Sequence, residues 1–229
     1  MLSKRINSLP ASATLAMAAK ARELKNKGVD IIGLSLGEPD FNTPEFIKEA
    51  AIQAVKDNFN SYSPVDGYVD LKDAICEKFK RDNGLNYKPS QVVVSTGAKQ
   101  SIANVCMVLL NPGDEVLLPA PYWVSYSAIS TLAESKSIII NSSIENDFKI
   151  TPEQLEAAIT PKTKLVMFNS PNNPSGTIYT ESEYRRLGAV LKKYPNIYIL
   201  SDEIYEHINY GTPHFSIASI SDLYDRTIT

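Results

Sequence analysis

The 229-residue sequence has little of the chemistry that disulfide-rich and metal-binding proteins use, with two cysteines and two histidines. Cys76 and Cys106 belong to no C-x-x-C pair, so we expect reduced, buried thiols in a cytosolic protein. His207 and His214 lack the spacing and the companions of a metal site. We therefore predict neither a disulfide framework nor a bound metal.

An excess of positive charge and long apolar runs are also missing. The chain carries 23 basic and 26 acidic residues, for a formal net charge of -3. Without a basic stretch, neither nucleic acid nor an anionic membrane is an expected partner. No stretch approaches the roughly 18 unbroken apolar residues of a membrane span, and the alanine-rich start is a poor signal peptide. We expect a cytoplasmic protein.

Strand-like and helix-like segments alternate along the chain. This alternation predicts an α/β fold with a mainly parallel sheet and helices on both faces. In such sheets ligands bind beyond the carboxyl ends of the strands, so the residues that follow each strand are the candidates for a site. The predicted strands are Ile31–Leu36, Gln91–Ser95, Glu115–Leu118, Ser137–Ile140, Leu165–Phe168, Ile197–Leu200 and Arg226–Thr229. The predicted helices are Thr14–Lys27, 44–58, Val69–Arg81, Lys99–Leu110, Trp123–Leu132 and those that begin at Thr151 and Thr180.

Several helix starts have clear capping signals. Thr43-Pro44-Glu45 predicts an N-cap threonine with proline in the first helical position. Thr151 to Gln154 and Thr180 to Glu183 are capping boxes.

The first candidate site is the turn Ser95–Lys99. Small residues there precede a helix whose free N–H groups could bind an anion, and Lys99 could add charge. An ordinary strand–helix turn is the alternative. The chain has no Walker, G-x-G-x-x-G or G-x-S-x-G motif, so neither a nucleotide phosphate nor a serine nucleophile has support.

Two further candidates follow the next strands. Trp123, the single tryptophan, could stack on a flat ligand or fill the core. The loop Asn169–Gly176 could present its amides rigidly or be a plain loop, and a cis X-Pro bond there would fix Asn173.

The last candidate is Asp202, at the end of an apolar strand. A buried carboxylate needs a positive partner, although a helix N-cap is the alternative. Tyr205 would lie about one helical turn away and could reach the same ligand.

Taken together, six short runs resemble the class I aminotransferases of the pyridoxal phosphate (PLP) fold-type I superfamily, in particular bacterial aspartate aminotransferases. They occur in the order and at about the spacing of that family. The runs are Gly37–Phe41, Tyr62–Pro64, Ser95–Gln100, Pro121–Tyr126, Asn169–Gly176 and Ser201–Glu206.

The resemblance implies roles for named residues. Asp202 would pair with the protonated pyridine nitrogen of PLP, and Tyr205 and Asn173 would bond its phenolic oxygen. Trp123 would stack on the ring and border the substrate. Gly97, Ala98 and Lys99 would form a phosphate cradle. Gly37 and Asn173 would lie at the substrate carboxylate. Tyr62 would reach the phosphate of the neighbouring subunit in a homodimer with shared active sites.

The resemblance also places the Schiff-base lysine beyond Thr229, so this chain holds no catalytic residue of its own and is expected to be inactive and truncated. Residues 1–41 would form an N-terminal arm with part of a small domain, and 42–229 an incomplete large PLP-binding domain. The full-length protein would transfer an amino group between an amino acid and a 2-oxo acid. The amino acid would be aspartate, with glutamate/2-oxoglutarate as the other pair. Prephenate or aromatic substrates stay open.

Two other functions are compatible with these residues. A PLP lyase or synthase on the same scaffold would reuse Asp202, Tyr205 and Asn173. A non-catalytic, aminotransferase-like binding or regulatory protein is the third possibility, although no DNA-binding segment precedes the motifs.

Overall fold

The computed structural model describes residues 2–9, 13–33, 37 and 39–229. The chain forms two compact units, one of Leu9–Pro64 and one of Met1–Ser8 with Val65–Thr229. The predicted domain boundary after residue 41 stays a prediction. The helices are α1 Lys4–Asn7, α2 Ala13–Asn26, α3 Glu45–Lys56, α4 Val69–Asn83, α5 Ala98–Leu109, α6 Ser125–Leu132, α7 Pro152–Ala158 and α8 Glu181–Lys192. The strands are β1 Glu115–Ala120, β2 Lys136–Asn141, β3 Thr163–Asn169, β4 Tyr198–Asp202 and β5 Thr227–Ile228.

The unit Leu9–Pro64 contains α2 and α3, and it corrects one prediction. Thr43 does not cap α3: Pro44 occupies the cap position, with a ψ of 144° and no side-chain cap hydrogen bond. Because the backbone of Pro44 is extended, proline stands just before the helix instead of in its first position. Of the predicted strand Ile31–Leu36, residues 31–33 form no strand, and 34–36 lie outside the described residues.

The other unit contains the sheet, whose five strands run in the order β2-β1-β3-β4-β5. Every neighbouring pair is parallel, which confirms the predicted sheet. The register sets Asn169, the last residue of β3, beside Asp202, the last residue of β4. The candidate residues that follow these strands therefore emerge at one edge.

Side chains alternate between the two faces of the buried strands, as the pleat requires. Leu165 and Met167 of β3 join one buried cluster with residues of α5 and α6. Val166 and Phe168 join a second cluster with residues of α7 and α8. We call these sides the α5/α6 face and the α7/α8 face. Both faces are covered, so the strands are apolar almost throughout.

The predicted strand Gln91–Ser95 is wrong. Pro89–Gln91 form a 3₁₀ turn, and the residues after it are extended without a strand partner among the described residues. The Val94 N–H donates instead to the carbonyl of Asp66, at 3.1 Å. Gly67 permits this approach: its φ is +101°, and a Cβ there would lie 2.5 Å from Val94 Cγ2. The valine-rich segment is extended, as its composition predicts, but no neighbouring strand among the described residues forms a hydrogen-bonded ladder with it.

Arg226, just before β5, ties the end of α8 to the sheet. Its guanidinium donates to the carbonyls of Leu191 at 2.8 Å, Tyr194 at 2.9 Å and Ile197 at 2.7 Å. The Leu191 and Tyr194 carbonyls also accept backbone N–H groups, from Tyr194 at 2.9 Å and from Ile197 at 3.2 Å, so the guanidinium adds a further donor to each. Burial lowers the pKa of Arg226 from its ordinary value.

The two cysteines differ in environment. Cys106, in α5, is buried, and burial raises the pKa of its thiol to about 11. Cys76, in α4, is only half-buried, so the prediction of two buried thiols is wrong for it. Within the described part of the chain, every helix is too short or too polar to cross a bilayer.

Candidate functional site

Three turns that follow the adjacent strands β1, β3 and β4 meet at the carboxyl edge of the sheet. The loop after β3 is bonded to the turn after β1, since Asn172 Nδ2 donates to the Pro121 carbonyl at 3.3 Å. The peptide bonds before Pro121, Pro171 and Pro174 are cis. The structure thus brings together three of the sequence-predicted segments.

Asp202 is held through both its backbone and its carboxylate. Its carbonyl accepts from Asn169 Nδ2 at 2.9 Å and from the Ser170 N–H at 3.2 Å. Its Oδ1 accepts from the Ile204 N–H at 3.2 Å within a turn, and no helix follows, so the helix N-cap considered as the alternative does not form. Its Oδ2 accepts from the Tyr126 hydroxyl at 2.6 Å. Within the described residues this half-buried carboxylate forms no salt bridge, so every donor to it is neutral.

Asn173 and Tyr205 approach each other beside Asp202. The Asn173 N–H donates to Asn169 Oδ1 at 2.7 Å, and its Nδ2 lies 3.4 Å from the Tyr205 hydroxyl. The chain after β4 makes turns and no helix, so the helical spacing considered for Tyr205 is wrong. The Asn173 amide and the Tyr205 hydroxyl nevertheless lie side by side.

Trp123 joins the turn after β1 to the start of α5. The Lys99 ammonium lies over its indole ring, 4.9 Å from the centroid. The Tyr126 ring meets Trp123 edge-on, with 5.6 Å between centroids and an interplanar angle of 89°. The Trp123 ring therefore contacts both a cation, Lys99, and the phenol that binds Asp202.

The start of α5 has the features of an anion-binding helix end. Gly97, with a φ of +82°, occupies the cap position and supplies no side-chain cap. The N–H groups of Ala98 and Lys99 have no hydrogen-bond acceptor among the described residues. A Cβ on Gly97 would meet nothing within 4 Å, so its conformation, and not crowding, favours glycine.

Gly37 and Tyr62 belong to the unit Leu9–Pro64. Tyr62 is fully exposed, and Gly37 is exposed. Their predicted roles stay predictions.

Sequence reasoning missed Tyr126 and Asn169. Tyr126 ends one run that carried the resemblance and Asn169 begins another, but neither was assigned a role. Tyr126 follows Trp123 by three residues, the spacing that places side chains on one helical side. Asn169 is the last residue of its strand, where ligand-facing polar groups are expected.

A second polar cluster lies next to the site. Glu203 Oε2 is 2.8 Å from His214 Nε2, and Glu203 Oε1 accepts from Ser216 at 2.6 Å. Glu206 pairs with Lys78 and accepts from Asn83 Nδ2 at 3.1 Å. Burial raises the pKa of Glu206, but these two donors outweigh it and hold the pKa below its usual value. Protein donors thus engage both carboxylates.

The aspartate, the indole and the helix start lie at the carboxyl edge of a parallel α/β sheet, which is where ligands bind in such folds. The family model described as aminotransferase class I and II matches residues 29–228. The chain belongs to the class I and II aminotransferase family, which confirms the predicted resemblance.

Known proteins show the same relationship. An aspartate/prephenate aminotransferase of Nitrosomonas europaea is 52% identical over 207 residues, which are 90% of this chain and 52% of that protein. The crystal structure of the aspartate aminotransferase of Rhizobium meliloti has a TM-score of 0.96 and 44% identity, and the match covers 99% of this chain and 57% of that one. The aspartate aminotransferase of Thermus thermophilus with maleate has a TM-score of 0.94 and 40% identity, covering 99% and 59%.

The chain thus spans somewhat more than half the length of the relatives that it matches. These relatives carry aminotransferase names, which does not favour a lyase or a regulatory protein.

Proposed function

We propose that the full-length protein is a PLP-dependent aminotransferase that moves an amino group between an amino acid and a 2-oxo acid. The observation that carries this proposal is the carboxylate of Asp202. It is half-buried at the carboxyl edge of the sheet, and its donors, Tyr126 and the Ile204 N–H, are both neutral. A carboxylate removed from water is stabilised by a cation, which the protonated ring nitrogen of PLP would supply.

The other side chains fit the remaining parts of the cofactor. Asn173 and Tyr205, 3.4 Å apart, present a donor pair suited to the phenolic oxygen of the ring. The indole of Trp123 offers an aromatic face for stacking. The residues present therefore fit PLP, with a carboxylate, an aromatic surface and hydroxyl and amide donors grouped at one edge.

The start of α5 suits the phosphate group. The Ala98 and Lys99 N–H groups have no acceptor among the described residues, and the positive end of the helix dipole favours an anion there. Lys99, exposed beside Trp123, adds a positive charge. We assign Gly97, Ala98 and Lys99 to this cradle.

When bound, PLP supplies an electron-withdrawing ring that stabilises negative charge at the substrate Cα. Asp202 would hold the proton on the ring nitrogen, and Asn173 and Tyr205 would orient the ring through its oxygen. Trp123 would exclude water from one ring face. The lysine that the family resemblance requires for moving the Cα proton has no counterpart among these residues, and we place it in the region of the relatives beyond this match.

The substrate class is proposed from the relatives. Their names include aspartate and prephenate, and one structure was solved with maleate, a four-carbon dicarboxylate. We propose aspartate with glutamate/2-oxoglutarate as the principal pair and a cytoplasmic location. Gly37 and Asn173 would contact the substrate carboxylate. A homodimer with shared sites is proposed as well, with the exposed Tyr62 reaching a neighbouring subunit.

The test is spectroscopic and kinetic. The purified full-length protein should bind PLP, absorb near the edge of the visible range and lose that band when aspartate is added. No spectral change with any amino acid would reject the proposal. Intact mass should be measured on the same sample, so that a polypeptide near 25.3 kDa is distinguished from a longer one.

A substitution at Asp202 tests the assigned role. Asp202→Ala should lower kcat by about a hundredfold or more, because loss of a charge-stabilising group in a dry site costs roughly 3 kcal/mol or more. Asp222→Ala, an exposed carboxylate paired with Lys192, is the control and should keep its activity. Near-normal turnover by Asp202→Ala would refute the role.

A further inference from the structure

Tyr126 lies in the α5/α6 face of the core, yet it carries a polar atom into the site. Its side chain is 2% exposed and packs with Leu118 of β1, Met167 of β3 and Leu200 of β4. In the sheet, β3 lies between β1 and β4. A tyrosine that follows β1 thereby reaches a carboxylate at the end of β4.

The contact with Asp202 is short and has one direction. The Tyr126 hydroxyl lies 2.6 Å from Asp202 Oδ2, within the range of charge-assisted O–H···O bonds. Burial raises the pKa of Tyr126, and the charge of Asp202 raises it further, so the phenol keeps its proton. It can therefore only donate, and Asp202 accepts.

Both carboxylate oxygens of Asp202 are thereby fixed. Oδ2 is held by Tyr126, from across the sheet, and Oδ1 by the Ile204 N–H, from the following turn. Two donors, one on each oxygen, restrict rotation of the carboxylate about its bond to Cβ. Each oxygen keeps a further lone pair for another donor.

The same phenol also supports the aromatic surface of the site. Its ring packs edge-on against Trp123, with 5.6 Å between centroids. Edge-to-face pairs of this kind have a preferred geometry, so the position of one ring restricts the other. Tyr126 thus contacts both the proposed partner of the ring nitrogen and the proposed stacking surface.

We propose that Tyr126 is a positioning residue that fixes the Asp202 carboxylate and the Trp123 indole relative to each other, for a flat ligand with a cationic ring nitrogen. The proposal rests on the proposed function, because PLP is the ligand to which these two groups are assigned. Tyr126 would act through Asp202 and Trp123 and would not touch the reacting atoms.

The first experiment compares Tyr126→Phe with Tyr179→Phe in the full-length protein. Both remove one hydroxyl from a buried tyrosine and keep the ring; the Tyr179 hydroxyl accepts the Ile150 N–H at 3.0 Å on the opposite face. PLP affinity is measured by equilibrium dialysis. Tyr126→Phe should weaken it about tenfold, the usual worth of a hydrogen bond to a charged group. Tyr179→Phe should bind PLP within about twofold of the wild type. Its loss of thermal stability should be similar to that of Tyr126→Phe.

A double-mutant cycle separates positioning from a general structural effect. If Tyr126 acts mainly through Asp202, Tyr126→Phe should change PLP affinity by less than about twofold in the Asp202→Ala background. Fully additive losses would overturn the proposal. So would PLP binding by Tyr126→Phe that equals the wild type while Asp202→Ala binds weakly.

The kinetic signature should follow the same pattern. Tyr126→Phe should lower kcat about tenfold and leave KM for the amino acid within about twofold, because the misplaced groups contact the cofactor ring. A change in KM alone would contradict this assignment. If instead the wild type does not bind PLP, or Asp202→Ala binds it as tightly as the wild type, the proposed function fails and not the positioning role alone.

Discussion

The two faces of the sheet begin their helices in different ways. On the α7/α8 face, Thr151 and Thr180 each form a complete capping box, so the N–H groups of the cap residue and of the third helical residue are satisfied within the chain. On the α5/α6 face, neither α5 nor α6 has a side-chain cap hydrogen bond. The difference teaches that capping is complete where the helix only packs, and is left open where the helix start faces the proposed site.

The cores of the two faces differ in the same sense. The α7/α8 face packs Phe168, Tyr179 and Tyr184 into an aromatic cluster, with ring centroids 5.0 to 5.9 Å apart. The α5/α6 face contains Tyr126, whose hydroxyl donates a hydrogen bond to Asp202 in the proposed site. We interpret the first face as mainly structural and the second as structural and functional at once. Three comparisons of variants test this distinction, beyond those already proposed for Asp202 and Tyr126.

The largest expected effect compares a core residue from each face. Leu187→Ala in α8 and Ile129→Ala in α6 should each lower the free energy of unfolding by about 2–5 kcal/mol, because each leaves a cavity. Only Ile129→Ala, in the same helix as Tyr126, should also weaken PLP binding in the full-length protein. Urea unfolding and equilibrium dialysis measure the two quantities. Equal effects of both variants on PLP affinity would remove the distinction between the faces.

A smaller effect is expected from the caps. Thr180→Ala should lower the free energy of unfolding by about 1 kcal/mol, because it removes the acceptor of the Glu183 N–H. Thr43→Ala is the matched control and should change stability little, since Thr43 does not cap α3. Urea midpoints provide the measurement. A loss at Thr43 equal to that at Thr180 would mean that the capping boxes do not account for the stability of the α7/α8 face.

The last comparison concerns pH and the buried thiol of the α5/α6 face. Because burial raises the pKa of Cys106 from 9.0 to about 11, the unfolded thiol ionises first as pH rises. The free energy of unfolding should therefore fall between about pH 9 and pH 11. Cys106→Ala should lessen this fall. Urea unfolding at several pH values in that range measures the slope. An identical slope in Cys106→Ala and wild type would contradict the burial of this thiol.

The sequence predicted most of the fold because helix caps and apolar strands are local signals. The capping boxes at Thr151 and Thr180 were found where predicted. The segment Gln91–Ser95 was predicted wrongly because a strand also needs a neighbour, and its valines carry no information about one. Thr43 failed as a cap because a proline one residue later moved the helix start.

The site could be predicted only in part. Asp202, Trp123, Asn173 and Tyr205 follow strands, and the sheet brings them to one edge. Their roles remain predictions. The contact between Tyr126 and Asp202 spans 76 residues and depends on the strand order, which no local pattern encodes. Resemblance identified the runs that contain both residues, but the pairing required the fold.

Arg226 has a consequence for the way in which the molecule reaches its native state. Its guanidinium donates to carbonyls that lie 29 to 35 residues earlier in the chain. The Leu191 and Tyr194 carbonyls accept local backbone N–H groups as well, so the turn from α8 into β4 can form first and gains its long-range donors only when the residues before β5 have arrived. Contacts between distant parts of a chain slow folding, because the intervening loop must close first. We expect the end of α8 to fray in early folding species and to become protected from hydrogen exchange together with β5.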